Sequence, residues 1–106
     1  MDRVTLVTEG WASGGVFAAS SFLERWRGVK SLPNGSRLLL AARSVHGFGL
    51  KSPLLVAAIG GDMRVSDVQI LRPGRVLSYP RARFILEMPL EGTPPPVGSV
   101  LEIRHG

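Results

Sequence analysis

Apolar residues recur along most of this chain with the short period of β-strands. Val4 and Leu6 alternate with Thr5 in a β-branched run, which predicts a strand over Arg3 to Glu9. Gly10 to Gly15 reads as a loop anchored by Trp11, and Val16 to Ala19 as a second short strand. Leu38-Leu39-Leu40 opens a strand running towards Val45. Leu54 to Ile59 is continuously apolar, the pattern of a strand covered on both faces. Gly60-Gly61-Asp62 predicts a hairpin turn. On the return strand Met63 and Val65 share a face, the phase slips at Ser66-Asp67, and it resumes with Val68 and Ile70. Such a slip is how a β-bulge looks in sequence. Arg72-Pro73-Gly74-Arg75 places Pro and Gly as a type II turn requires. Ala82, Phe84, Leu86 and Met88 then alternate with Arg81, Arg83, Ile85 and Glu87 in a further strand. After the stiff connector Pro94-Pro95-Pro96, Ser99, Leu101 and Ile103 alternate in a last one.

One segment departs from this period. Ser21-Phe22-Leu23-Glu24 is a capping box, in which serine takes the N3 amide and glutamate reaches back to the N-cap amide. Phe22 and Trp26, four apart, share a face, and Gly28 offers a left-handed exit. This predicts a single short helix, and Pro33-Asn34-Gly35 a turn after it. The expected fold is mainly β: one domain over residues 1–106, a compact sandwich or partly closed barrel of short, mostly antiparallel strands with one short helix.

Composition narrows the chemistry. A chain of 106 residues holds one core, and 44% hydrophobic residues exclude a disordered chain. Cysteine is absent, so there is no disulfide, thiolate nucleophile, iron–sulfur cluster or cysteine zinc site. His46 and His105 are the only histidines. No cofactor is expected, since Gly60-Gly61 is followed by strand rather than helix signals and no EF-hand spacing surrounds Asp62 and Asp67. The longest apolar run falls far short of the roughly 20 residues that span a bilayer, and no leader pattern opens the chain. A cytoplasmic protein with no membrane partner is the expectation. The net charge is +5, carried mostly by arginine. This balance suits polyanions or acidic surfaces, although the spread of the arginines along the chain favours a compositional bias as its source.

The ordered set of short motifs resembles a bacterial and archaeal family, the domain of unknown function 192. The pieces are Arg25-x-x-Gly28, His46-Gly47-Phe48-Gly49-Leu50, Pro53-Leu54, Arg72-Pro73-Gly74-Arg75, and Ala82 through Leu86-Glu87 followed by Gly92 and Gly98. The resemblance runs from about Val16 to Ile103 and implies a compact β-rich fold without implying a reaction. The chain departs from the family pattern at Val29-Lys30, where leucine–methionine is expected, and at Leu55, where aspartate is expected.

The resemblance places Arg25, His46, Phe48 and Arg72 among the family's motif positions, and side-chain chemistry says what each could do there. His46 is the one mid-chain group of the kind catalysis favours near neutral pH, but no nucleophile frame lies beside it. Its structural role would be to hydrogen-bond a turn backbone while Phe48 packs inward. Ser21 has a capping role and Ser20 lacks a nucleophile elbow. Arg25, His46, Phe48 and Arg72 together combine guanidinium forks, an imidazole and an apolar wall. That mixture suits a small anionic ligand or the acidic segment of a partner protein. The expected function is a non-enzymatic binding or accessory module. The alternative is an arginine-mediated anion or nucleic-acid binder, with Arg81 and Arg83 on one strand face and Tyr79 as the exposed stacking ring.

Overall fold

The computed structural model describes residues 2–19 and 36–105. These residues form β1 (Asp2–Thr8), β2 (Trp11–Ala19), β3 (Leu38–Leu40), β4 (Ser44–His46), β5 (Leu54–Gly60), β6 (Val65–Leu71), β7 (Val76–Ser78), β8 (Ala82–Pro89) and β9 (Glu102–His105). The expected mainly β architecture is what the chain adopts. The predicted short helix lies outside the described residues. Seven strands make one sheet in the order β6-β5-β8-β3-β2-β1-β9, and β4 pairs with β7 in a separate ribbon. The ladders are antiparallel except that between β2 and β3, where Phe17 to Ala19 run parallel to Leu38 to Leu40. A parallel pair needs a crossover of a dozen or more residues, and the stretch between the two strands is long enough to supply it.

The large sheet wraps without closing. An isolated bridge joins Arg64 to Val100, Val65 N–H donates to Ser99 O at 2.9 Å, and Leu101 N–H donates to Met63 O at 2.8 Å. These contacts bring the two ends of the strand order together at one corner. No ladder runs between β6 and β9, so the sheet is not a closed barrel.

Side-chain alternation sends residues of the central strands into two cores. Leu39, Ala57, Ile59, Leu86 and Met88 join Val4, Leu6, Val16, Val65 and Leu101 on one side. Leu38, Leu40, Val56, Ala58 and Ile85 join Val45, Leu71 and Ala82 on the other. Burial on both faces explains why the leucine run and Leu54 to Ile59 show no polar alternation. Each fully buried aliphatic side chain contributes roughly 1.5–3 kcal/mol.

Irregularities in the ladders account for the remaining pattern. Ala58 faces Asp67 and Ile59 faces Val65, which leaves Ser66 as the extra residue of the expected bulge. A second bulge was not legible. Ile59 faces Phe84 and Gly60 faces Ala82, so Arg83 is the extra residue there. It turns Ala82 to the side of Ile85, whereas simple alternation put Ala82 with Phe84.

Three expected boundaries are corrected. The Gly10 to Gly15 loop shrinks to a turn at Glu9-Gly10, with Gly10 at φ 78°, and β2 already begins at Trp11. The polar look of that stretch comes from Ser13: its buried hydroxyl accepts the Leu6 N–H at 2.9 Å and donates to Gly14 O at 2.7 Å where the ladder is irregular. The single strand from Leu38 to Val45 is two, because the chain leaves the large sheet after Leu40 and enters the ribbon at Ser44. The hairpin turn is displaced to Gly61-Asp62-Met63: Met63 takes φ 64° while its side chain packs on the first core.

Candidate functional site

The β4–β7 ribbon covers the second core and presents its outer face to solvent. Ser44, Val45 and His46 pair with Ser78, Leu77 and Val76. Val45 is buried and Leu77 packs on the core, so the alternate positions Ser44, His46, Val76 and Ser78 are exposed. The chain beyond His46 is seated on the Arg72–Arg75 turn. Gly47 N–H donates to Arg75 O at 2.7 Å, and Gly74 N–H donates to Gly47 O at 3.1 Å. A Cβ on Gly47 would overlap the Arg72 carbonyl oxygen and lie 3.1 Å from its carbonyl carbon, so only glycine permits this approach. The turn itself is closed by Arg75 N–H donating to Arg72 O at 3.1 Å, with Gly74 at φ 77° as a type II turn requires. Two motif pieces remote in sequence thus form one surface.

Three of the four predicted site residues, His46, Phe48 and Arg72, belong to that surface, whereas Arg25 lies outside the described residues. The structure corrects the expectation that Phe48 packs inward. A tight turn from Gly47 to Leu50, with Leu50 N–H donating to Gly47 O at 3.1 Å and Gly49 at φ 84°, puts Leu50 against the core instead. Phe48 is left 65% exposed, beside the His46 ring at 5.2 Å between centroids and a 31° tilt. The His46 imidazole therefore stacks near a ring and does not tie down a turn backbone. Arg75 and Val76 complete the surface, and Val76 is 58% exposed. The sequence signal for these two was faint: a second arginine closing the turn, and a valine directly after it.

The electrostatics of this face are one-sided. Arg43, Lys51, Arg72, Arg75 and Arg81 are exposed on the ribbon and its flanking turns. No Asp or Glu occurs in residues 37–61 or 68–86, the segments that build it, although Asp67 of β6 approaches the Tyr79 hydroxyl just beyond β7. The ion pairs seen among the described residues, Asp62–Arg64 and Glu102–Arg104, each at 3.5 Å, lie elsewhere.

The alternative nucleic-acid residues are placed differently from expectation. Arg81 sits in the turn before β8 and Arg83 is the bulge residue, with its guanidinium 5.1 Å from the Phe84 ring centroid. They do not form a matched pair on one strand face. Tyr79 is not an exposed stacking ring: it packs on the second core with its hydroxyl buried. Burial first, then the charge of Asp67 and the approach of its carboxylate to the hydroxyl, push its pKa up to about 12. Asp62 serves its turn, accepting the Arg64 N–H at 3.0 Å. Among the described residues no group of three or more His, Asp or Glu could hold a metal ion, and no helix is long and apolar enough to cross a membrane. A concavity of about 780 Å³ lies away from this face, beside the β1–β2 turn, lined in part by Glu9, Trp11, Glu102 and Arg104. Trp11, read from sequence as a loop anchor, donates its indole N–H to Thr93 O there at 2.8 Å.

No protein-family model matches the chain, and no curated protein matches it. Among solved structures it is similar to a protein of unknown function from Novosphingobium aromaticivorans, at 16% identity and a TM-score of 0.67, over 94% of this chain and 83% of that one. At this identity the likeness establishes the fold: the chain is a small β-rich domain of the same architecture.

Proposed function

We propose that this domain is a non-enzymatic binding module whose ligand is anionic and docks on the exposed face formed by His46, Phe48, Arg72, Arg75 and Val76. One observation carries the reading: cations, an imidazole and an exposed phenyl ring share a surface whose own segments contain no Asp or Glu, held by the Gly47 contact with the Arg72–Arg75 turn. Arginine forks recognise carboxylate or phosphate oxygens, and the apolar ring supplies contact area beside them. A surface of one sign also raises the local concentration of anions, an effect that salt screens over roughly 8–10 Å at physiological ionic strength. We further propose that the chain is a divergent relative of the domain of unknown function 192. The meeting of two of its motif pieces at Gly47 supports that reading.

Titration of isotope-labelled protein with citrate, inorganic phosphate and poly-glutamate tests the site. Amide shifts should concentrate on residues 46–49 and 72–76, weaken with salt, and vanish in the Arg72→Glu, Arg75→Glu double variant. Shifts spread evenly over all arginines, or none on these residues, would refute it. Nucleic acid as the ligand would be favoured only by a duplex or single strand that binds more tightly than poly-glutamate and loses affinity when Arg81 and Arg83 become alanine.

A further inference from the structure

We infer that the occupant of this face is an extended acidic peptide that adds as a third strand to the β7 edge of the ribbon. The inference rests on the anion-binding reading above and specifies how the ligand is held. Gly47 N–H donates to Arg75 O and Tyr79 N–H donates to Arg43 O, at 2.7 and 2.6 Å. The paired bonds of the antiparallel ladder therefore fall at odd-numbered positions, 43 with 79, 45 with 77 and 47 with 75. The N–H and C=O groups of Val76 and Ser78 consequently point away from β4, along the outer edge of β7. Both residues are exposed, and the inward Leu77 is half-buried where its partner Val45 is 3% exposed. So β7 is the less covered strand of the pair, and its edge carries unpaired backbone groups.

Charge selects what can pair there. Arg75 precedes the strand and Arg81 follows it, with Arg43 and Arg72 on adjoining segments, and these four guanidinium groups outnumber the Asp67 carboxylate that lies at the Tyr79 hydroxyl. Two copies of this edge would set arginines against arginines, so self-pairing is opposed. A strand bearing Asp or Glu at alternate positions instead places carboxylates beside these guanidinium groups while its backbone completes the ladder. The exposed Val76 and Phe48 side chains offer apolar contact to the residues between.

The probe is an acetylated, amidated peptide alternating glutamate with valine and threonine, labelled for fluorescence anisotropy against the whole chain. Two further peptides accompany it: one with backbone N-methylation at alternate residues, one with lysine replacing glutamate. Binding of the acidic peptide is expected, with no binding of the lysine peptide and at least roughly tenfold loss on N-methylation, the change that one net hydrogen bond makes. Val76→Pro, which removes the outward N–H together with the valine side chain, should weaken binding by a similar factor or more, and Ser78→Pro, which removes an outward N–H without loss of an apolar contact, provides the cleaner test. Equal binding of the acidic and N-methylated peptides would overturn strand addition while leaving an anion-binding face. Failure of poly-glutamate and the acidic peptide alike would overturn both readings. Concentration-dependent dimerisation that Val76→Pro abolishes would show a second copy on this edge and overturn the acidic-peptide assignment.

Discussion

Substituting Gly47 by alanine tests the contact on which the candidate site is built. The added Cβ would overlap the carbonyl oxygen of Arg72 and lie 3.3 Å from Gly74 N, so it meets backbone on both counts. Backbone cannot swing aside as a side-chain tip can, and overpacking of this kind costs about 1–3 kcal/mol. Displacement would also stretch the bonds from Gly47 to Arg75 and from Gly74 to Gly47, each contributing roughly 0.5–1.5 kcal/mol. A loss of about 2–4 kcal/mol follows. At roughly 4–8 °C per kcal/mol for a domain near this size, the thermal midpoint should fall by roughly 8–32 °C. Two other glycines calibrate the measurement. Gly49 has φ 84° and open space around its Cβ position, so Gly49→Ala should cost only the left-handed backbone penalty of about 1–2 kcal/mol. Gly61 has open space and no such φ, so Gly61→Ala should be neutral or stabilise by up to about 1 kcal/mol. Urea denaturation of the three variants, with unchanged slopes, gives the ranking directly. The reasoning fails if Gly47→Ala stays within about 0.5 kcal/mol of the parent, or if Gly61→Ala is equally damaging.

Other expectations follow from single side chains. Tyr79 is the only tyrosine, so tyrosinate absorbance reports on it alone, and its midpoint should lie near 12 in the folded protein. Because the folded protein holds this proton more tightly than the unfolded chain, whose tyrosine pKa is about 10, Tyr79 contributes stability that is present below about pH 10 and lost as pH rises towards 12. Tyr79→Phe should remove that pH dependence; a stability curve that keeps its fall between about pH 10 and 12 in the variant would contradict this. Ser13→Ala strands the buried Leu6 N–H and should cost about 1–3 kcal/mol by chemical denaturation. Ile85→Ala and Leu86→Ala, which empty opposite cores from neighbouring positions of β8, should each cost about 2–5 kcal/mol; a mild effect at either would mean that its face is not a closed core.

Much of the fold is legible in local chemistry. The strands at Val4–Leu6, Leu54–Ile59 and Ala82–Met88, the Pro73-Gly74 turn and the bulge at Ser66 are each specified by a few consecutive residues, because strand period and turn dihedrals are properties of short segments. The polar start of β2 was misread because Ser13 and Gly14 suit a loop in isolation. It takes the Leu6 amide across the ladder to give the Ser13 hydroxyl its place. The break between β3 and β4 carries no signal, since Leu40 and Val45 are buried equally well in one strand or in two. Of the candidate site, His46, Phe48 and Arg72 are legible as motif positions of the resemblance with suitable side-chain chemistry, but nothing near Phe48 in sequence says which way it faces. That direction depends on Leu50 winning the core seat, a contest settled by residues of distant strands. The exposed phenyl ring, the union of the His46 segment with the Arg72 turn, and the mainly cationic face they share arise only when β4 pairs with β7. Long-range pairing, with its choice of register and sheet, is where short-range propensity has no influence.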